Sequence, residues 1–274
     1  MNEKLKTELG TRNSELGTRL TSLTSFKNLL SLQKKNIINV NMAYRKKLVV
    51  LTGAGMSAES GISTFRDSGG LWEQHRVEDV ATPEGWMANP VLVHQFYNER
   101  RKQLIEAKPN LGHYALAELE QDFDVHIITQ NVDNLHERAG SLKVLHLHGE
   151  LMKMRSTGPG EEIFDVDPAN PEYSLKNKCP KGYPLRPHIV WFGEMVPEYE
   201  KAASIAAKAD ILLIIGTSMQ VYPAAGLLHY VQPTVPVYLI DPQDVKIAYR
   251  EVHHIKKGAS EGMEEFKRLI RTKA

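Results

Sequence analysis

Five short runs of almost uninterrupted apolar residues constrain this chain most: Lys47-Leu48-Val49-Val50-Leu51-Thr52, then segments at 125–129, 143–147, 211–216 and 235–240. A strand with one wet face alternates polar and apolar residues. A strand apolar in succession must be covered on both sides, as in a parallel sheet between two layers of helices. Helix-length patterns fill the intervals, at 90–106, 111–120, 198–209, 224–231 and 262–271. This alternation predicts an α/β fold with a doubly wound parallel sheet. Two stretches fall outside it. Residues 71–108 are rich in helix formers and show no strand, whereas 151–188 are rich in Pro, Gly and Asn. Together they are expected to form a smaller inserted lobe over the carboxyl ends of the strands, where such sheets bind ligands.

Residues 1–43 break from this pattern. Glu8-Leu9-Gly10-Thr11-Arg12 recurs as Glu15-Leu16-Gly17-Thr18-Arg19. Two copies are too few for a stacked array, and a glycine in each weakens a helix. The segment reads as a poorly ordered extension, and Met42 as a natural start of translation ahead of a folded unit at 44–274. The 34 basic and 33 acidic residues nearly cancel, so no global field argues for nucleic acid or an anionic membrane. A lone cysteine, Cys179, excludes an internal disulfide and fits a reducing compartment. No apolar run approaches the roughly 20 residues that span a bilayer, and no secretory signal is read at the N-terminus. The expectation is a cytoplasmic protein. Nothing in the sequence indicates its oligomeric state.

The first strand runs into Gly53-Ala54-Gly55-Met56-Ser57-Ala58, which fits the G-x-G-x-x-A turn of Rossmann-like sheets. There glycines permit a tight turn and a close backbone approach to a pyrophosphate. A plain structural turn satisfies the same pattern. A dehydrogenase would return to a second strand within about 30 residues, with an acidic residue at its end. Here Gly61 and then Ser68-Gly69-Gly70 follow with no apolar run behind them, and Glu73 sits among Trp72, Gln74, His75 and Arg76. The second half of the motif is replaced by a loop carrying Phe65 and Arg66.

Longer blocks carry a more specific signal. Gly53 through Arg66 resembles the NAD-binding signature of the sirtuins, NAD-dependent protein lysine deacylases. Thr129-Gln130-Asn131-Val132-Asp133-Asn134-Leu135-His136, Leu147-His148-Gly149-Glu150, Arg186-Pro187-His188-Ile189-Val190-Trp191-Phe192-Gly193-Glu194 and Gly216-Thr217-Ser218 match in the same order. The resemblance spans roughly 46–271. It implies a catalytic domain at 44–274 that uses NAD as co-substrate and acts on acyl-lysine proteins or peptides.

That chemistry needs a phosphate cradle, and the resemblance places it at Gly53, Ala54, Gly55, Ser57 and Ala58 with Gly216, Thr217 and Ser218 across the sheet. Phe65, Arg66 and Trp72 lie on the loop expected to close over the cofactor. Capping of the helix at 224–231 is a compatible role for Gly216-Thr217-Ser218. Gln130 is expected at the ribose, with Asn131 and Asp133 in the nicotinamide pocket. On spacing alone Asp133 serves equally as an N-cap for a short helix through Glu137. A ribose hydroxyl must lose a proton once the acyl oxygen has captured the sugar carbon, and imidazole, with a free pKa of about 6.5, suits that task. Alternation puts His146 and His148 on one strand face. The family's catalytic position falls on His148, beside Gly149. His146 is left as a core or supporting residue.

Val190, Trp191, Phe192, Gly193 and Glu194 match the family's segment that pairs with substrate backbone, although the same run also reads as an ordinary strand. Within the 90–106 helix, Tyr97 and Arg100 share a face. Spacing alone makes them a half-buried phenol and a solvated cation. The pair nevertheless resembles the Tyr-x-x-Arg of sirtuins that remove acidic acyl groups. There a phenol and a guanidinium hold a distal carboxylate and a small residue, here Ala81, leaves room. Both deacetylation and desuccinylation or demalonylation are implied. Asp241 stands where the family commonly has Asn to bond the adenosine ribose, and Ala259 follows Gly258 in the adenine-contacting segment.

One departure is clear. Sirtuins usually hold a structural zinc with two Cys-x-x-Cys pairs, yet Arg155-Ser156-Thr157-Gly158 occupies the first and Cys179 stands alone near the second. His188 and Asp165 lack ligand spacing, so no zinc is expected. Packing through Pro168, Tyr173, Pro180, Tyr183 and Pro184 is expected instead. A sirtuin-like ADP-ribosyltransferase and a non-catalytic NAD or ADP-ribose binding module are the competing readings; His148 disfavours the module.

Overall fold

A computed structural model describes residues 45–62, 75–219, 221–245, 247 and 250–271. The extension expected at 1–43, and with it Met42, lies outside them. The strands are β1 (Lys47–Thr52), β2 (Asp124–Thr129), β3 (Val144–His146), β4 (Gly149–Ser156), β5 (Ile163–Asp165), β6 (Leu185–Ile189), β7 (Ile211–Ile215), β8 (Val237–Ile240) and β9 (His253–Ile255). The helices are α1 (Gly55–Ala58), α2 (Val77–Val80), α3 (Pro83–Ala88), α4 (Pro90–Glu106), α5 (Leu111–Leu119), α6 (Leu135–Arg138), α7 (Tyr199–Ala206) and α8 (Ala259–Arg271), with a 3-10 helix at Ala224–Tyr230.

Leu48 and Val50 of β1 face one side of the sheet and Val49 and Leu51 the other, and all four are buried. The same split runs through β7, where Leu213 and Ile215 oppose Leu212 and Ile214. Six parallel strands in the order β3-β2-β1-β7-β8-β9 form this sheet. One face is covered by α5 and α8, through Leu116, Leu119, Met263, Phe266 and Ile270. Ala202, Ala203 and Ala206 of α7, with Leu227, cover the other. The apolar runs therefore fold as the two-sided burial demanded.

Several boundaries differ from the sequence reading. The strand expected at 211–216 stops at Ile215 because Gly216 turns to φ +60. That expected at 235–240 starts at Val237, after Pro236, which has no N–H to donate. The segment at 224–231 is a 3-10 helix, and β9 was not anticipated because three residues show no period. By contrast, α4 spans the expected residues, opened by Asn89, whose side chain accepts from Leu92 N–H, and by Pro90. No described helix is long and apolar enough to cross a membrane.

The region read only as irregular, 151–188, contains a second sheet, antiparallel, in the order β5-β4-β6. It packs on α4 through Phe96, Tyr97, Leu104, Leu151, Ile189 and Trp191. A second buried cluster holds Met154, Val166, Cys179 and Leu185, and Arg101 of α4 reaches the Met154 sulfur at 3.6 Å. The chain enters this sheet from β3 through one sharp corner. Gly149 has φ +80, and a Cβ there would meet the His188 carbonyl at 2.1 Å. Only glycine fits.

Candidate active site

Three loops leave the carboxyl ends of β1, β2 and β7 side by side. Gly53 N–H donates to Ile215 O at 3.0 Å and Gly55 N–H to Gly216 O at 2.9 Å. A Cβ on Gly55 would stand 2.7 Å from Gly216 Cα, and one on Gly53 the same distance from Gly216 O. These glycines are required first by loop packed on loop. The helix that follows, α1, has only four residues.

The loop after β2 folds over this junction. Asn131 Nδ2 donates to Gly53 O at 3.0 Å and lies 3.1 Å from Ser57 Oγ, while Ser57 Oγ donates to Asp133 Oδ2 at 2.9 Å. Asp133 Oδ1 also accepts from Leu135 N–H at 3.1 Å. The N-cap of α6 is Asn134 and not Asp133, whose bond to Leu135 N–H is a turn two residues along the chain. Burial raises the Asp133 pKa, against the lowering effect of the bonds from Leu135 and Ser57. Gln130 Nε2 reaches Thr217 Oγ1 at 3.1 Å, bridging to the β7 loop. Ser218 follows half-buried.

Spacing could not separate the two histidines; their hydrogen bonds do. His146 is held at both nitrogens, Nδ1 against Asn131 O at 3.1 Å and Nε2 against Glu137 Oε1 at 2.8 Å. Burial opposes its charge, but the Glu137 carboxylate prevails and its pKa is raised. His148 Nδ1 meets Gln130 O at 3.0 Å. A carbonyl can only accept, so Nδ1 carries the proton. Nε2 then presents a lone pair, with no partner among the described residues. Burial lowers its pKa, which keeps the ring neutral. His146 is a tethered ion-pair member. His148 is tied at one nitrogen only.

Across the seam lies the apolar flank made by α4 and the β6 loop. Tyr97, 1% exposed, accepts from Trp191 Nε1–H at 3.0 Å, and Arg100 lies 5.9 Å from the Tyr97 ring centroid. Ala81 is buried, its carbonyl accepting from Phe192 N–H at 3.0 Å. The segment after β6 is not a continued strand. Val190 N–H donates to His148 O at 3.0 Å, then Glu194 N–H closes a turn on Trp191 O at 3.0 Å, with Gly193 at φ +89. Phe192 is half exposed. Glu194 is engaged internally, bridging Arg186 at 2.7 and 3.1 Å.

Farther along the sheet edge, Asp241 follows β8 with Oδ1 accepting from Gln243 N–H at 2.9 Å, and Ala259 is buried at the start of α8. Phe65, Arg66 and Trp72 lie outside the described residues.

The Sir2 family profile matches residues 53–223. The chain belongs to the Sir2 family. Among its relatives is a protein of Bacteroides thetaiotaomicron named NAD-dependent protein deacylase, 60% identical over 229 residues, which cover 82% of this chain and 98% of that one. A Helicobacter pylori protein of the same name is 52% identical over 198 residues, 72% of this chain and 83% of its own. Among solved structures, a Sir2 homolog–NAD complex superposes with TM-score 0.75 at 41% identity, covering 85% of this chain and 92% of that one.

In the small lobe a compact apolar core surrounds the cysteine. Cys179 is buried beside Met154, Val166 and Leu185, and its sulfur accepts from Ser156 Oγ at 3.3 Å. No group of three or more His, Cys, Asp or Glu among the described residues is placed to hold a metal. Of the expected packing residues, Tyr173 joins this core, whereas Pro168 and Pro180 are exposed, Pro184 is half-buried, and Tyr183 lies over Gly158. The main tie was missed altogether. Arg101 is fully buried, donating from Nε to Pro171 O at 2.8 Å and from Nη2 to Asn98 Oδ1, with Tyr173 beneath its guanidinium at 5.5 Å. Its neighbour Arg100 drew attention to itself through a motif; Arg101 has none. Thr52, Thr129 and His136 were likewise missed. Thr52 Oγ1 donates to Thr129 Oγ1 at 2.8 Å, which also accepts from Asn131 N–H at 3.0 Å, and His136 Nε2 sits 3.1 Å from Thr52. This buried line holds the Asn131 backbone. Only a count of polar residues at strand ends would have flagged it.

Proposed function

We propose that this protein is an NAD-dependent protein lysine deacylase. It removes acetyl and acidic acyl groups such as succinyl and malonyl, and releases nicotinamide and 2′-O-acyl-ADP-ribose. One observation carries the reading: a neutral imidazole, His148, is held by the Gln130 carbonyl with its second nitrogen available, next to the Ser57–Asn131–Asp133 cluster. The name borne by the relatives supports it. Amide, hydroxyl and carboxylate groups gathered at the carboxyl ends of β1, β2, β7 and β8 fit a dinucleotide at the usual place for such sheets. The proposed unit is 44–274, with its small lobe from about 71–108 and 151–188, working in the cytoplasm without zinc.

In this reading Gly53, Ala54, Gly55, Ser57, Ala58, Gly216, Thr217 and Ser218 hold the phosphates through short loops, since α1 is too short to supply much dipole. Phe65, Arg66 and Trp72 complete that side. Gln130 binds the ribose, Asn131 and Asp133 orient the nicotinamide, and Asp241 and Ala259 hold the adenosine. NAD supplies a glycosidic bond whose cleavage exposes the sugar carbon to the acyl oxygen. His148 Nε2 takes the proton from the ribose hydroxyl, and the Gln130 carbonyl steadies the ring as it becomes charged. Val190 through Glu194 carry the peptide past Trp191. Tyr97 and Arg100 hold the distal carboxylate beneath Ala81, by charge-assisted bonds in a desolvated place.

The test is incubation with NAD and acetylated or succinylated peptides while nicotinamide and peptide mass are followed. Free lysine peptide and nicotinamide in equal amounts are expected, and His148→Ala should reduce turnover by about 10²–10⁴-fold. Peptide gaining the mass of ADP-ribose would instead indicate a transferase; no consumption of NAD would indicate a binding module. Arg100→Met should cost desuccinylation orders of magnitude more than deacetylation. Equal losses would remove Arg100 from the acyl pocket.

A further inference from the structure

The segment after β6 contains a clamp that substrate pairing does not require. The Arg186 guanidinium lies 3.4 Å from the Trp191 ring centroid, in stacking contact. Glu194 fixes that guanidinium with both carboxylate oxygens and also accepts from Trp191 N–H at 2.7 Å. Arg186 donates a further bond to Ile189 O at 3.0 Å. The indole is therefore gripped on its face and at its backbone, with Trp86 against it at 5.9 Å. Its one polar atom, Nε1, donates to the Tyr97 hydroxyl at 3.0 Å.

An indole N–H can only donate, so the Tyr97 oxygen accepts there and its own proton must point elsewhere. Without that bond the hydroxyl would rotate between alternatives. Burial raises the Tyr97 pKa above 10, only partly offset by Arg100, Trp191 and Arg186, so the phenol stays a donor at neutral pH. Arg100 lies over the same ring, one helical turn along α4. We infer that Trp191 is a positioning residue for acyl selectivity: its clamped N–H turns the Tyr97 hydroxyl proton toward the distal carboxylate of a succinyl- or malonyl-lysine. This rests on the acidic-acyl pocket proposed above. An acetyl group has no second carboxylate and makes no use of that proton.

Trp191→Phe keeps an aromatic ring for Arg186 and removes the N–H. The ratio of kcat/KM for a succinylated over an acetylated peptide should fall about tenfold, the worth of one oriented bond to a charged group. The fall should disappear when the same change is made in Tyr97→Phe, where no hydroxyl remains to be oriented. A proportional loss on both peptides, or the same fall with and without the Tyr97 hydroxyl, would overturn the proposal. Should Trp191→Phe not fold, Tyr97→Phe reports from the other side: the Trp191 indole N–H resonance in a nitrogen-15 spectrum should shift, and an unmoved signal would overturn it. A native enzyme inactive on succinylated peptide, or a ratio insensitive to Arg100→Met, would instead sink the pocket reading while leaving the indole shift observable.

Discussion

The six-stranded sheet and the three-stranded one lie in one chain yet are held by different interactions. In the first, β1 and β7 bury every residue from Leu48 to Thr52 and from Ile211 to Ile215 between two apolar layers. In the second, β5 is exposed at Ile163 and Asp165, and order comes from polar ties: Arg101 into the Pro171 carbonyl, Asn98 on both backbone groups of Tyr173, Arg186 on Glu194. The lobe's apolar clusters, around Leu151, Ile189 and Trp191 and around Met154, Val166 and Leu185, are smaller than those of the large sheet. Directional bonds supplement burial there. The difference teaches where each region should fail: the large sheet all at once, the small lobe locally.

The strongest attack on that contrast is Phe266→Ala. Phe266 is wholly buried under the sheet, and its loss should cost about 3–5 kcal/mol of global stability, read as a shift in the denaturant midpoint with unchanged slope. Arg101→Met comes next. It leaves the Pro171 carbonyl without its donor, while Asn98 keeps its bonds to Tyr173, and should cost about 1–3 kcal/mol. Faster hydrogen exchange is expected in β4 and β6 but not in β1 or β7. If β1 exchanged equally faster, the two regions would be one cooperative unit.

Acid should expose a finer difference. His94 lies in the small lobe, lowered to about 4 by burial and then by the Arg101 cation; His113, under the large sheet, is lowered to about 4 by burial alone. A free imidazole near 6.5 takes up its proton before either buried ring does. Stability is thus complete above about pH 6.5, declines as pH falls, and this contribution is gone below about 4. His94→Leu should flatten that decline for amides of β4 and β6 while α5 keeps it. An unchanged decline in the lobe would remove His94 as its acid trigger. The smallest effect is expected from chelation. Metal removal should leave the melting temperature of the lobe unmoved, and a clear drop with released zinc would replace the polar ties by a metal site.

Legibility followed the kind of interaction. The apolar runs of β1, β7 and β8 announced their own burial, because hydrophobic burial is additive along a strand and leaves a period in the chain. The caps Asn89 and Asn110 stand directly before the helices they open, a local signal that the sequence reading did not use. The small sheet left little trace: β5 has three residues, and β4 pairs with β6 across a bulge. Blocks such as Thr129 through His136 marked a candidate site without saying what each group touches.

By itself, the order of residues determined a two-sided parallel sheet, the loops at its carboxyl ends, and a pair of histidines one strand repeat apart. Only the tertiary structure decided that His146 is tied at both nitrogens and His148 at one, that Arg101 is the lobe's staple, and that Trp191 grips Tyr97. Burial is a property of a segment and is written into it. A hydrogen bond is a relation between atoms 18 or 94 residues apart, and no local pattern encodes which partner the fold will bring.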